Sequence, residues 1–282
     1  MENFTRRDAN QTIIGDSSIH HRMPSPYSYS SLSLFEACPQ AYAHKYVWKT
    51  PLPKEEKIID LHMSTGSVVH SVLEWVHQQA LEKKTITEEK SLALLPSIWK
   101  EMLADSFTPV AEEELAPFLQ KSVENIQWYF SEIFEKDKGN TIAVEQKLLY
   151  PLFPQKKQWL IGFVDRVSQP MENKIVLHDY KTGSKTLSTK TLSKNFQASL
   201  YGAMAAHHYQ PLNEIELQWH YLSHHKTVKT TLNPEDARNA IQKAGRLAQG
   251  IENHKNAQMF PAKTGWQCTR CDFINVCPAH TK

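Results

Sequence analysis

The spacing of apolar residues changes along the chain, and the changes divide it. Residues 1–26 are polar and carry no apolar periodicity, which predicts a flexible N-terminal arm. The serines after Tyr27 can cap a helix running through Leu32, Leu34, Phe35, Tyr42, Tyr46 and Trp48. Ser33 and Glu36 offer a capping box, and Pro39 must be accommodated near the start. Val68, Val69, Val72, Leu73 and Val76 form an i, i+3/i+4 stripe, the mark of a second helix. Residues 88–136 stay helical, with Leu92, Leu95 and Trp99 early and Phe118, Ile126, Tyr129 and Ile133 later. Near Asn140 the period shortens. Segments 141–150, 157–167 and 174–180 are rich in β-branched and aromatic residues and read as three successive strands. A helix over about 192–208, strands near 214–223 and 227–231, and a helix from Asn233-Pro234 to about Asn253 follow. The order predicts a mixed α/β fold with no internal repeat.

Bulk properties narrow the class. The chain has 282 residues, enough for one large domain or two small ones. It is 40% apolar and 22% charged, the balance of a globular protein in water. No apolar run approaches the roughly 20 residues of a membrane span, and residues 1–8 have no apolar signal region. A cytoplasmic location without membrane attachment is therefore expected. Net charge is only +2, but its distribution is uneven. Between Asp179 and Glu214 there is no carboxylate, while Lys181, Lys185, Lys190 and Lys194 recur every four or five residues. Such a stretch is either a solvated lysine-bearing surface or one that meets phosphates.

Four cysteines bracket this interior. Cys38 stands alone near the start; Cys268, Cys271 and Cys277 close the chain as C-x₂-C-x₅-C. In a cytoplasmic protein they suggest metal ligation, a centre that clips the two ends together. By count, four thiolates suit zinc and an iron–sulfur cluster equally.

The candidate chemistry lies between them. One strand ends in Gly162-Phe163-Val164-Asp165-Arg166, the next in Asp179-Tyr180-Lys181-Thr182-Gly183. Asp179 and Lys181 are two apart and share a strand face. With the strands adjacent, Asp165 can lie beside Asp179, and two carboxylates make a hard oxygen site for Mg²⁺ or Mn²⁺. A lysine on that face can position a water or balance charge on phosphorus, as metal-assisted phosphodiester hydrolysis requires. Glu145, in the preceding strand, is either a supporting group or an ordinary strand-edge glutamate. His178 should point to the opposite face.

Gly162-x-x-Asp165-Arg166 followed by Asp179-Tyr180-Lys181 resembles the catalytic core of the PD-(D/E)XK nuclease superfamily, in its RecB-like branch. Gly66-x-x-x-His70-x-x-Leu73-Glu74 is similar to that branch's G-x-x-x-H-x-x-L-E helix, and Gln197-x-x-x-Tyr201 to its Q-x-x-x-Y motif. Ser30 through Pro39, with the terminal cysteine triplet, resembles the iron–sulfur version found in AddB-type subunits, CRISPR-adaptation nucleases and exonuclease V-like proteins. The resemblance spans about residues 28–280.

That resemblance implies a restriction-endonuclease-like core, a central mixed β-sheet flanked by helices, with the N- and C-terminal segments joined by a 4Fe–4S cluster on Cys38, Cys268, Cys271 and Cys277. One domain over 27–282 is expected: a mainly helical part (27–140), a catalytic α/β core (141–253) and a cysteine-rich tail (254–282). His70, Asp165, Asp179 and the Tyr180 carbonyl are implied ligands of Mg²⁺ or Mn²⁺, with Lys181 positioning the attacking water. Gln197, Tyr201, Lys185, Lys190 and Lys194 would contact the DNA backbone. The implied activity is metal-dependent DNA hydrolysis, an exonuclease on single-stranded ends in repair, recombination or related processing. No G-x-x-x-x-G-K-[ST] loop is present, so unwinding would need a helicase partner. The alternatives are a non-cutting DNA-binding iron–sulfur subunit of a helicase/nuclease complex and a zinc-binding interaction protein.

Overall fold

The computed structural model describes residues 26–51, 60–104, 110–137 and 140–280. All of the predicted arm except Pro26 lies outside them. Strand β1 (Tyr27–Ser28) leads into α1 (Tyr29–Ala37), and α2 (Pro39–Tyr42) runs on into a π-helical turn over Ala43–Val47. The single helix expected here is broken at Cys38, whose backbone is extended (φ −158°, ψ 108°). Pro39 explains the break, because the residue before proline is driven out of the helical region and proline is suited to the first turn. The capping box is also displaced from its expected place. Ser28 and Ser31, not Ser33 and Glu36, exchange side-chain-to-backbone hydrogen bonds of 2.9 and 3.1 Å.

Helix α3 (Leu61–Leu81) starts on Asp60, whose carboxylate accepts from the amides of His62 and Met63. Then come α4 (Glu88–Leu92), α5 (Leu95–Ala104), α6 (Glu112–Tyr129) with a π-helical continuation, and the short α7 (Glu135–Asp137). Strands β2 (Thr141–Phe153), β3 (Gln158–Met171) and β4 (Lys174–Lys181) form the predicted meander. The helix expected over 192–208 is two pieces, α8 (Thr189–Ser193) and α9 (Phe196–His208), each capped by its own Ser188 or Asn195. Strands β5 (Glu214–Tyr221) and β6 (Lys226–Thr231) precede α10 (Pro234–Asn256), which runs past the expected end at 253.

The described strands make one mixed sheet, β1-β3-β4-β5-β6, with β2 also on β3. β1 with β3 and β4 with β5 are parallel; the remaining pairs are antiparallel. Leu160 pairs with both Tyr27 and Tyr150, and Arg166 with both Val144 and His178. β1 and β4 therefore share the edge of β3 opposite β2, and between them Gly162, Phe163 and Val164 are paired only with β2 while Asp165 is paired with no strand. That gap locates the site. Two hydrophobic cores flank the sheet. One gathers Leu32, Leu160, Val164, Leu177, Leu200, Met204 and Ala244 from the sheet, α1, α9 and α10. The other joins Val69, Leu73, Trp99, Ile126 and Phe130 of α3, α5 and α6 with Tyr180 and Leu222.

Candidate active site

Asp165 and Asp179 meet where β3 and β4 part. The ladder between these strands ends at Arg166–His178, and the next free amide of β4, that of Tyr180, donates to Asp165 Oδ2 at 2.7 Å. Burial first, and the neighbouring Asp179 second, raise the Asp165 carboxyl above the usual carboxylate range. Asp179 sits under Lys181, whose Nζ donates to Oδ1 at 3.0 Å and lies 2.8 Å from Oδ2. The Oδ2 contact has ion-pair distance without hydrogen-bond geometry, so this buried oxygen has no hydrogen-bond donor. Burial pulls the Lys181 ammonium down, but Asp179 and Asp165 outweigh it and hold the ammonium above its ordinary value. The Trp219 ring of β5 supports Lys181, its centroid 4.8 Å from Nζ.

The flanking helices carry the remaining groups. His70 on α3 reaches the Tyr180 carbonyl through Nε2 (2.8 Å) and lies 3.6 Å from Asp165 through Nδ1. Two of the expected ligands, His70 and the Tyr180 carbonyl, thus bond each other. Gly66 permits the approach of α3, since a Cβ there would stand 2.8 Å from Thr182 Oγ1. Tyr201 on α9 packs close against β3 because Gly162 has no side chain; a Cβ at 162 would lie 2.9 Å from the ring. Burial raises the Tyr201 phenol, a hydrogen bond with Gln197 opposes the rise, and the charges of Asp179, Lys181 and Asp165 are close enough to act on it. Gln197 and Tyr201 therefore stand at the site as an i, i+4 pair. Lys185 and Lys190 are exposed beyond it. Lys194 is taken up by Asp236 of α10, at 2.8 and 3.1 Å. The carboxylate-free stretch is answered from elsewhere in the chain.

Several neighbours of the site were missed or left open by the sequence reading. Glu145 of β2 sits between the pairs Val144–Arg166 and Gln146–Val164, close enough for Asp165 to act on it, in a left-handed backbone conformation (φ 46°). Burial, then Asp165 and Glu74, push its carboxyl up to about 7. Glu74 follows His70 by one helical turn, and the motif that contained it was the available signal. Arg166 is fully buried and bonded to Tyr129 and Asp137, and nothing in its local sequence announces this. His178 faces away from Asp179, as expected, in a buried chain with Ser168 and His220.

The four cysteines are free thiols around one cavity of about 270 Å³, together with His44, Phe273 and His280. Cys38 accepts from the Lys263 amide at 3.4 Å, and the Phe273 amide donates to Cys271. Burial raises the Cys271 thiol, and the proximity of the other three adds to the effect. Among the described residues no group of three or more His, Cys, Asp or Glu side chains is arranged to hold a metal ion, at either place. The donors nevertheless suit different metals. Buried carboxylate oxygen, one atom of it accepting no hydrogen bond, fits a hard divalent cation; thiols supported by amides fit a soft one.

A family model for the PD-(D/E)XK nuclease superfamily matches residues 26–278. The chain belongs to that superfamily. Membership implies phosphodiester hydrolysis with DNA as substrate, and nucleases of this superfamily typically use divalent ions such as Mg²⁺ or Mn²⁺. The fold is similar to the crystal structure of a Eubacterium rectale protein described as a "putative exonuclease". The TM-score is 0.54 at 13% identity, covering 94% of this chain and 93% of that one. A second solved structure, SSO0001, aligns over 75% of this chain and 98% of its own at 18% identity, with a TM-score of 0.37. No curated protein matches the chain in sequence. No helix of the described residues is long and apolar enough to cross a membrane.

Proposed function

We propose that the chain is a divalent-metal-dependent deoxyribonuclease, an exonuclease acting on single-stranded ends. The observation that carries this reading is the meeting of Asp165 and Asp179 in the gap of β3, with Lys181 on Asp179 and one buried Asp179 oxygen that accepts no hydrogen bond. His70, Asp165, Asp179 and the Tyr180 carbonyl would hold Mg²⁺ or Mn²⁺. Such an ion, when bound, supplies Lewis-acid activation of the phosphate and lowers the pKa of a water. Lys181 would hold the attacking water through Nζ and offset charge growing on phosphorus. The water oxygen bonds to phosphorus as the bond to the 3′-oxygen breaks. The 5′-phosphate stays on one product, and the other leaves with a 3′-hydroxyl. Gln197 and Tyr201 would orient the backbone beside Gly162, with Lys185 and Lys190 tracking it outward. Lys194 would have to exchange Asp236 for a phosphate. The exonuclease mode is supported by the family resemblance and by the name borne by the Eubacterium rectale protein.

The cysteine cavity is proposed to take a 4Fe–4S cluster in a structural role, with zinc as its competitor. The four thiols around one cavity support it. DNA repair or recombination in the cytoplasm, beside a helicase partner, is the proposed setting. The test is anaerobic purification, iron and zinc analysis, and digestion of end-labelled single and double strands with Mg²⁺ or Mn²⁺. Asp179→Ala should abolish digestion, and degradation that survives it removes the proposed site. Wild type that binds DNA without cutting would establish the non-cutting subunit instead; colourless protein with stoichiometric zinc would replace the cluster.

A further inference from the structure

Behind β4, on the side away from Asp179 and Lys181, runs a buried polar chain that the proposed reaction leaves untouched. Arg166, next in sequence to Asp165 and wholly buried, donates to the Tyr129 hydroxyl (3.1 Å) and to the Asp137 carboxylate. The Tyr129 hydroxyl meets the Tyr180 hydroxyl at 2.9 Å and is bonded to Nε2 of buried His77, whose Nδ1 is held by Thr141. The phenol of Tyr180 thus ends in this chain, while its main chain lies in the site. Its amide holds Asp165 Oδ2 at 2.7 Å, and its carbonyl accepts from His70 at 2.8 Å. A buried guanidinium is expensive, and apolar packing of equal volume is often as stable or more so. Such a chain is therefore weak evidence for stability, whereas outer partners that orient a ligand act directly on metal affinity.

We infer that Arg166, Tyr129 and the Tyr180 hydroxyl are positioning residues that fix the Tyr180 peptide and the Asp165 carboxylate for a divalent ion, and so set its affinity. This rests on the metal site proposed above. The test uses full-length wild type, Tyr129→Phe and Tyr180→Phe; each variant removes one oxygen and keeps the ring. Mn²⁺ binding is measured by calorimetry, folding by circular dichroism, and kcat and KM for DNA at saturating Mn²⁺. Folded variants should bind Mn²⁺ on the order of tenfold more weakly, with KM for DNA unchanged. The double variant should lose little more than the worse single one, because both break the same link. Variants that bind Mn²⁺ within about twofold of wild type, whatever their melting temperatures, would overturn the inference. Wild type that neither binds Mn²⁺ nor cuts DNA would remove the functional reading along with it; wild type that does both, beside unaltered variants, removes this inference alone.

Discussion

Replacing Asp165 with asparagine should stabilise the metal-free protein while abolishing cleavage. The Asp165 side chain is mostly buried and stands beside Asp179, and both facts raise its carboxyl. The Tyr180 amide and Lys181 pull the other way without cancelling the rise. A carboxyl raised by folding holds its proton more tightly in the native state than in the unfolded chain. Its contribution to stability is whole below the unfolded value of about 4 and is lost as pH climbs through the folded value. Asparagine keeps the shape, and its oxygen can still accept from the Tyr180 amide, but it carries no charge. Each power of ten in that proton equilibrium is worth about 1.4 kcal/mol. The rise to about 8 already includes the two opposing groups; relaxation and water around the ionised pair reduce what reaches stability to one to two powers, about 1.5–3 kcal/mol. For a chain of this size that is a rise in Tm of roughly 4–10 °C.

Differential scanning calorimetry in EDTA at about pH 8, repeated at about pH 4, measures it. Asp165→Asn should melt above wild type at the higher pH and with it at the lower. Excess Mn²⁺ should narrow or reverse the ranking, because only the intact carboxylate pair binds the ion well. A variant that melts at or below wild type at the higher pH, or an advantage that persists unchanged to the lower, would refute the argument that like charge is stored at this site.

Gly162→Ala should cost ~1–3 kcal/mol by overpacking, because its Cβ would fall 2.9 Å from the Tyr201 ring with Met204 behind at 3.5 Å. Gly183→Ala, which meets nothing within 4 Å, serves as the control in the same thermal melts. Glu145, with its carboxyl pushed up to about 7, contributes to metal-free stability below the ordinary glutamate range and loses that contribution as pH rises through about 7. Mn²⁺ affinity should therefore strengthen between about pH 6 and 8, and Glu145→Gln should flatten part of that slope; calorimetry showing the full wild-type slope in the variant would remove Glu145 from the site.

Periodicity made much of this fold legible. The valine stripe of α3, the meander β2–β4 and the amphipathic α10 carry their signal locally, and each formed close to where its pattern predicts. Boundaries failed where one residue overrode a pattern. Pro39 breaks the N-terminal helix at Cys38, and Lys194-Asn195 splits α8 from α9. At the site, the spacing of Asp179 and Lys181 on one strand was enough to place them together. Facts created by tertiary contact were hidden: the left-handed Glu145, the capture of Lys194 by Asp236, and the burial of Arg166 against Tyr129. Each pairs residues about 40 positions apart, or bends one residue for a neighbour that no window contains.

The cysteines illustrate the same limit from the other side. Read along the chain, a lone Cys38 and a terminal triplet look like the clip that holds the two ends together. Yet those ends are already joined without sulfur. Tyr27 donates to Glu252 at 2.6 Å, Glu36 pairs with Lys243 at 2.8 Å, and Phe35 packs edge-on against His254. β1 is further tied to Leu160 and Ile161 of β3. What the thiols enclose is narrower: the break at Cys38 and the irregular segment after α10, whose own turns span only three to five residues. That segment is held by short-range turn bonds, such as Cys271 to Cys268 and Cys277 to Ile274, and gains most from a shared ligand. Since β1 and β4 occupy the same edge of β3, on either side of residues 162–165, steadying α1 also steadies one wall of the opening in which Asp165 sits. A group bound by the thiols would then act on the site through the position of β1 rather than through the chemistry of its own metal.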